Sequence, residues 1–293
     1  LALATSLALC SLQASAEEFR IDRLFVVGDS LSDGGAYTGT ATQGLIGAGV
    51  PGTFIPDRMM FTTNSPNAKI WASVVAEKLG IPLDVDVING VSNTINGGNY
   101  AQGGSRVSNP IGVSNNPAIG ITTIPVTEQI DRLLADTPTF NRNDLVALWA
   151  GSNDGFIQFA TVAVGAITPQ VALAEMSTAA TQLLAQIDRL KAAGAQNIVV
   201  ITVPNLGVTP QAQIIEDGSV SGTPAPGSIA LLTALSDSFN NTLTSAAASK
   251  GAVIVDSNKL LSAVIANPAR YGFTSPTPLQ AACGNNGGND PNT

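Results

Sequence analysis

The sequence predicts an α/β protein in which helices cover both faces of a parallel sheet. Short apolar runs rich in Val and Ile alternate along the chain with amphipathic segments. The runs are apolar throughout rather than at every second position, which is typical of strands buried on both faces. With 293 residues, 44% of them hydrophobic and 12% charged, the chain is long enough to bury one large core.

Five strands are predicted, each from a short apolar run that ends in Gly or polar residues. The second is the weakest, because its apolar residues are interrupted by Asp. In chain order the predicted strands are Arg23–Gly28 (RLFVVG), Val85–Val91, Leu145–Ala150 (LVALWA), Asn197–Val203 (NIVVITV) and Ala252–Asp256 (AVIVD).

Five helices are predicted, four between these strands and one after the last, from helical spacing of apolar residues and from start and stop signals. Ser65-Pro66 and Thr168-Pro169 each place a capping residue before a proline at the first helical position. Glycine follows the predicted ends of three of the helices. The predicted helices span residues 65–79, 127–135, 169–193, 228–250 and 258–266, with loops at 34–63 and 93–117.

Charge and composition exclude some classes of partner. The net charge is −8, with 13 basic and 21 acidic residues and no basic cluster, so we expect no nucleic-acid partner. The chain contains no histidine, which removes the residue that most catalytic metal sites require. We therefore expect no metal site.

Residues 1–16 (LALATSLALCSLQASA) read as part of a secretory signal peptide. An apolar stretch ends in Ala14-Ser15-Ala16, which fits the pattern before a signal-peptidase cut. No initiator Met or basic segment precedes it, so we expect the sequence to begin inside the signal peptide. The alternative is a short buried helix. Removal of this segment would take Cys10 away and leave Cys283 unpaired, which suggests either a partner outside the sequence or a free thiol.

Three polar clusters follow predicted strands or lie in the glycine-rich loop between them. They are Gly-Asp-Ser-Leu-Ser-Asp at 28–33, Asn-Tyr-Ala-Gln-Gly-Gly-Ser-Arg at 99–106 and Gly-Ser-Asn-Asp at 151–154. Because the carboxyl ends of parallel strands form the usual ligand site of such a sheet, we expect the clusters to meet there. A serine at such a corner is exposed, and N–H groups near it can face a developing anion.

Each cluster also has a purely structural interpretation. Ser30 or Ser32 could cap a helix, and the glycine pair could form an ordinary turn. Asn153 or Asp154 could cap the following helix. Taken together, the three clusters are far more specific than any one of them.

In their order and spacing, the three clusters resemble those of the GDSL esterases and lipases, also called SGNH hydrolases. The resemblance covers roughly residues 20–280. It implies a three-layer α/β/α fold with a flavodoxin-like, five-stranded parallel sheet. It also implies hydrolysis of carboxylic esters without a metal or an organic cofactor, on a small-molecule or lipid ester substrate.

The resemblance assigns roles residue by residue. Ser30 is the nucleophile, and the oxyanion hole is formed by the N–H groups of Ser30 and Gly104 and the side chain of Asn153. Three acidic residues support the loops without reacting: Asp29, Asp33 and Asp154. An Asn153→Ala change is therefore expected to reduce activity even with the nucleophile intact.

The sequence departs from the family in its last block, Asp-x-x-His, where the His takes the proton from the serine. Asp290-Pro291-Asn292-Thr293 has Thr at the His position, and we interpret this match as coincidental because it lies in a Gly/Asn-rich tail. We expect the domain, residues 17–293, to be C-terminally incomplete and to lack its catalytic Asp and His. The chain as given is then expected to be nearly inactive.

Two alternatives to an esterase remain open at this point. The same site could serve a phospholipase or an acyltransferase. A complete but degenerate chain would be a binding or adhesive module that keeps the fold and has lost the reaction.

The segment NPARYGFTSP (267–276), followed by a cysteine, resembles the exported bacterial branch of the family. Its members are often autotransporter passengers, which implies an exported protein and a possible outer-membrane barrel after the chain end.

Overall fold

A computed structural model of the chain describes residues 20–38, 69–87, 94, 97–113, 123–219 and 221–273. The predicted signal segment, most of the loop at 34–63, Cys283 and residues 290–293 lie outside these ranges. None of the helices in these ranges is both long and apolar enough to cross a membrane.

The described residues form a parallel sheet of six strands in the order β2-β3-β1-β4-β5-β6, with helices on both faces. This confirms the predicted α/β class. The strands are β1 Arg23–Gly28, β2 Asp84–Val85, β3 Gly98–Asn99, β4 Asp144–Trp149, β5 Asn197–Ile201 and β6 Ala252–Val255.

Described helices lie between most of these strands, and one follows β6. Two further single turns of 3-10 helix span Leu206–Val208 and Pro268–Tyr271. The α-helices are α1 Trp71–Leu79, α2 Val126–Asp136, α3 Ser152–Ala163, α4 Pro169–Ala192, α5 Pro210–Asp217, α6 Ser228–Ala247 and α7 Ser257–Ala266.

The core is divided by the sheet into two apolar layers. Alternate side chains of β1, Phe25 and Val27, face a large cluster built with α2, α4 and α6. The intervening side chains, Leu24 and Val26, face a smaller cluster with α1. Burial on both faces explains why β1 and β4 are apolar after their first residue.

Several predicted boundaries were wrong. The described residues form six strands rather than the five predicted. Strands β2 and β3 are two residues long, which is too short to leave an apolar pattern in the sequence. Strand β2 ends at Val85, and residues 88–91 of the predicted strand lie outside the described ranges. Strand β3 lies inside a segment predicted as loop. Helix α1 begins at Trp71, after Lys69 and the extended Ile70, and the predicted start at Ser65 lies outside the described residues.

Further along the chain, β5 ends at Ile201 rather than at Val203. The N–H of Val203 instead donates to Oδ1 of Asn240 (2.8 Å), and Nδ2 of Asn240 donates back to the carbonyl of Val203 (2.7 Å). The side chain of Asn240 on α6 thus makes the hydrogen bonds to Val203 that a neighbouring strand would otherwise make. Helices α3 and α5 were not predicted, although Thr209 caps α5 before a proline at its first position.

The turn between β4 and α3 depends on Gly151, whose φ is +116°. A Cβ at this position would lie 2.6 Å from Cζ of Phe239 and 2.8 Å from Cγ2 of Val203. Both backbone conformation and packing therefore require glycine here.

Gly151→Ala is predicted to lower the free energy of unfolding by about 3 kcal/mol or more, because overpacking adds to backbone strain. Gly165 is the matched control, since its φ is +71° and no atom lies within 4 Å of the position that a Cβ would take. Gly165→Ala should cost only the strain, about 1 kcal/mol. Equal losses for the two variants in urea unfolding would contradict the packing argument.

Candidate active site

The chain turns sharply where β1 ends. The N–H of Ser32 donates to the carbonyl of Asp29 (3.0 Å), and the N–H of Leu31 donates to Oδ1 of Asp29 (3.0 Å). Ser30 lies between these bonds and is half-buried. With respect to the described residues, neither its hydroxyl nor its N–H makes a hydrogen bond. Both polar groups of Ser30 are thus available to a ligand.

The start of this turn is fixed by close packing of β1 against β4. Gly28 lies opposite Trp149, and the N–H of Asp29 donates to the carbonyl of Trp149 (3.3 Å). A Cβ on Gly28 would be 2.3 Å from that carbonyl oxygen, so no larger residue fits. The same serine cluster also contacts α1, because Nε1 of Trp71 donates to Oγ of Ser32 (3.1 Å). Ser32 therefore receives a bond rather than capping a helix.

Asp33 joins the serine turn to the glycine-rich loop. Its Oδ1 accepts the N–H groups of Gly35 and Ala36 (both 2.8 Å), and its Oδ2 accepts the N–H of Gly103 (2.7 Å). The carbonyl of Gly103 in turn accepts the hydroxyl of Tyr37 (2.8 Å). Burial raises the pKa of Tyr37 to about 12, so this hydroxyl remains a donor at neutral pH.

Gly104 follows with φ +84°, a conformation that favours glycine. Its carbonyl accepts the N–H of Val113 (3.0 Å). Its own N–H has no partner in the described ranges. A second bond holds this loop to the serine turn, since Nδ2 of Asn99 donates to the carbonyl of Ser32 (2.7 Å).

The third predicted cluster lies in the first turn of α3. Asn153 is 7% exposed, and its Nδ2 donates to the carbonyl of Ser105 (2.9 Å). An amide nitrogen carries two hydrogens, so one remains for a ligand. The carboxylate of Asp154 accepts Nε of Arg106 (3.0 Å) and the N–H of Val107 (2.9 Å). No side chain caps the helix at Gly151, so the capping interpretation of this cluster was wrong.

Gln129 was not found by sequence reasoning. Its Oε1 accepts the N–H of Gly28 (2.8 Å), while its Nε2 donates to the carbonyl of Gly28 (2.9 Å) and to Oγ of Ser105 (3.0 Å). It therefore links the end of β1 to the glycine-rich loop from a fully buried position on α2. The signal available in the sequence was a polar residue, Gln129, on the face of α2 that also carries the apolar residues Val126 and Ile130.

Three buried carboxylates surround the site, and burial raises the pKa of each: Asp29, Asp33 and Asp154. Backbone N–H groups partly offset the rise in the pKa of Asp33. At Asp154, the guanidinium of Arg106 and the N–H of Val107 partly offset the rise in the pKa. At Asp29, the N–H of Leu31 donates to Oδ1, while Oδ2 is buried without a partner among the described residues. Its pKa is raised to about 7.

The described ranges bring the three clusters together through direct hydrogen bonds. Ser30, Gly104 and Asn153 each retain a donor that no described residue occupies, and Ser30 also offers a hydroxyl. An arrangement of this kind is suited to attack on a carbonyl and to binding of the anion that results. In the same ranges, no three His, Cys, Asp or Glu side chains form a group that could hold a metal ion.

Asp29→Asn should remove a pH dependence from stability. An unfolded Asp ionises near pH 4, whereas Asp29 in the fold holds its proton to about pH 7. The unfolded chain therefore binds fewer protons between these values, and ionisation favours unfolding as the pH rises through this window. The wild type should lose up to a few kcal/mol relative to Asp29→Asn between pH 4 and 7, and nothing further above it.

Urea unfolding of the two proteins at matched pH values measures this difference. The Asn side chain keeps an oxygen for the N–H of Leu31, so the turn is conserved. A difference in stability that stays constant from pH 4 to 8 would show that Asp29 is ionised throughout.

Comparison with known proteins assigns the chain to a family. The model of the GDSL-like lipase/acylhydrolase family matches residues 24–292. A Photorhabdus luminescens protein named lipase 1 is 26% identical over 69% of this chain. A GDSL esterase/lipase of Arabidopsis thaliana is 25% identical over 90% of it and is covered over 74% of its own length.

A Pseudomonas putida protein, described as an uncharacterized protein in the trpE-trpG intergenic region, is 27% identical over 95% of this chain. The chain spans 43% of the length of this relative and 25% of the length of lipase 1. The family match covers nearly the whole chain, including the three clusters that form the site. The protein belongs to the GDSL-like lipase/acylhydrolase family.

Proposed function

We propose that the protein is a serine esterase that hydrolyses carboxylic esters through an acyl-enzyme on Ser30. One observation carries the proposal: the hydroxyl and N–H of Ser30 and the N–H of Gly104 are unbonded among the described residues, while the groups around them are bonded. Membership of an acylhydrolase family supports ester hydrolysis in general.

In the first half of the proposed reaction, Oγ of Ser30 attacks the carbonyl carbon of the ester. The carbonyl oxygen becomes an anion that accepts the N–H groups of Ser30 and Gly104 and the free hydrogen on Nδ2 of Asn153. Each such donor is typically worth about 10²–10³ in turnover. The ester bond to the alcohol then breaks, and the alcohol leaves with the proton that Ser30 lost.

In the second half, water attacks the acyl group on Ser30. The acid is released, and the serine hydroxyl regains a proton. Both halves need a group that accepts and returns a proton, which in a serine hydrolase is usually a histidine.

No histidine is present in the 293 residues, and none of Asp29, Asp33 and Asp154 bonds the hydroxyl of Ser30. Attack by an unassisted serine hydroxyl is slow because the hydroxyl is a weak nucleophile at neutral pH. The chain should therefore show little esterase activity by itself.

Added imidazole should restore part of this activity by acting as the proton acceptor. We predict that hydrolysis of p-nitrophenyl butyrate by the chain rises with imidazole concentration, after subtraction of the rate with Ser30→Ala. Asn153→Ala should reduce the imidazole-dependent rate by about 10²-fold, since one anion donor is lost.

One outcome would contradict the role of Ser30, and another would contradict the expected lack of activity without an added base. Identical rates for the wild type and Ser30→Ala at every imidazole concentration would mean that Ser30 is not the nucleophile. The protein would then be better described as a binding module on an esterase fold. Full activity without imidazole, lost in Ser30→Ala, would show that another group supplies the base.

The substrate is proposed at the level of acyl esters, including esters of lipids, as the names of lipase 1 and the Arabidopsis esterase/lipase suggest. A phospholipase or acyltransferase would use the same three donors. Parallel assays with a short-chain ester and with phospholipid vesicles separate these activities.

We also propose that the protein is exported, because residues 1–16 have the composition of a signal peptide and end in Ala-Ser-Ala. The mature protein would then begin at Glu17. N-terminal sequencing of the protein recovered from its natural host tests this, and a start upstream of Ala14 would contradict it.

A further inference from the structure

A buried ion pair lies beside the proposed oxyanion hole. Nε of Arg106 donates to Oδ1 of Asp154 at 3.0 Å, and the two side chains are only 12% and 4% exposed. Oδ2 of the same carboxylate accepts the N–H of Val107 (2.9 Å). The pair therefore joins the glycine-rich loop to the first turn of α3.

Both segments joined by the pair carry a proposed anion donor. Gly104 lies two residues before Arg106, and Asn153 directly precedes Asp154. A third bond runs between the same segments, from Nδ2 of Asn153 to the carbonyl of Ser105 (2.9 Å). Three consecutive residues of the loop are thus bonded to two consecutive residues of the helix, which fixes their relative position.

Stability alone is a weak reason for such a pair. Removing two charges from water is costly, and well-packed apolar residues often serve the fold equally well. The cost is visible at Asp154, whose pKa burial raises although Arg106 and Val107 both favour the ionised form. What an arginine–carboxylate contact adds is fixed geometry, because the guanidinium is planar and directional.

We propose that the ion pair between Arg106 and Asp154 positions the oxyanion hole by holding the N–H of Gly104 and the side chain of Asn153 at a fixed separation. This inference rests on the function proposed above. Neither Arg106 nor Asp154 is proposed to contact the ester or Ser30, so both are positioning residues. Displacement of a donor by about 1 Å can cost about 10²-fold in rate.

Phenylboronic acid is a suitable probe, because its binding needs the nucleophile and the anion donors but no resident base. Oγ of Ser30 forms a bond to boron, the hydroxyl proton passes to the buffer, and the boron becomes a tetrahedral anion. One of its oxygens then occupies the position of the oxyanion. The adduct is an equilibrium species whose affinity can be measured by ¹¹B NMR.

Tryptophan fluorescence provides a second readout of binding. The two tryptophans of the chain, Trp71 and Trp149, contact each other edge to face with 6.1 Å between ring centroids. The indole N–H of Trp71 donates to Oγ of Ser32, so the pair adjoins the serine turn. Adduct formation on Ser30 should therefore change the fluorescence.

The chain offers a matched control for the loss of a buried ion pair. Arg23 and Asp144 form a pair at the opposite end of β1 and β4, with Nε to Oδ1 at 2.8 Å and Nη2 to Oδ2 at 2.5 Å. Their side chains are 21% and 1% exposed. Arg23→Gln and Arg106→Gln should both lower the urea midpoint, since each leaves a buried carboxylate without its cation.

The affinity for phenylboronic acid should separate the two variants. We expect Arg106→Gln to weaken binding by about tenfold or more and Arg23→Gln by less than about twofold. Equal losses in the two variants, or an unchanged affinity in Arg106→Gln, would overturn the positioning role.

If Arg106→Gln fails to fold, the double variant Arg106→Gln/Asp154→Asn provides the test. It removes the unpaired charge and should recover stability without recovering affinity; recovery of both would contradict the inference. Ser30→Ala separates this inference from the proposed function. An adduct that persists in Ser30→Ala contradicts the nucleophile itself, whatever the Arg106 variants show.

Discussion

The site depends most on the hydrogen bond between the carboxylate of Asp33 and the N–H of Gly103 (2.7 Å). It connects the loop after β1 to the glycine-rich loop after β3, two segments with few apolar side chains of their own. Gln129 makes a second connection between them from α2, and Asn153 connects the glycine-rich loop to α3. Buried bonds of this kind are strong in a low dielectric, so they fix the loops as a packed core fixes strands.

The cost of this arrangement is concentrated at the site. Each of the three polar clusters contains a side-chain atom that is buried without a partner among the described residues. These atoms are Oδ2 of Asp29, Nε2 of Gln102 and Oγ of Ser152. A buried unsatisfied group costs about 1–3 kcal/mol, and such groups are rare in folded proteins. The N–H groups of the half-buried Ser30 and of Gly104 are also without a partner among the described residues. The fold thus retains unsatisfied donors where an anion would bind.

The sequence was sufficient to predict β1, β4, β5 and β6, because each is a run of mostly apolar residues. Burial on both faces requires such runs in β1 and β4, whereas Val253 and Val255 of β6 are exposed. It could not predict β2 and β3, since two residues carry no periodicity. The polar clusters were found because their residue types and order are specific. Gln129 was missed because its role comes from a contact 101 residues away, with Gly28. The same holds for Arg106, whose partner on α3 is set by the packing of the sheet.

The most direct test of the account is a crystal structure of the chain with phenylboronic acid. The account predicts boron bonded to Oγ of Ser30, with one boronate oxygen within hydrogen-bonding distance, about 3 Å, of the N–H groups of Ser30 and Gly104 and of Nδ2 of Asn153. A boronate bound at another residue, or bound to Ser30 with its oxygens turned away from these three donors, would contradict it.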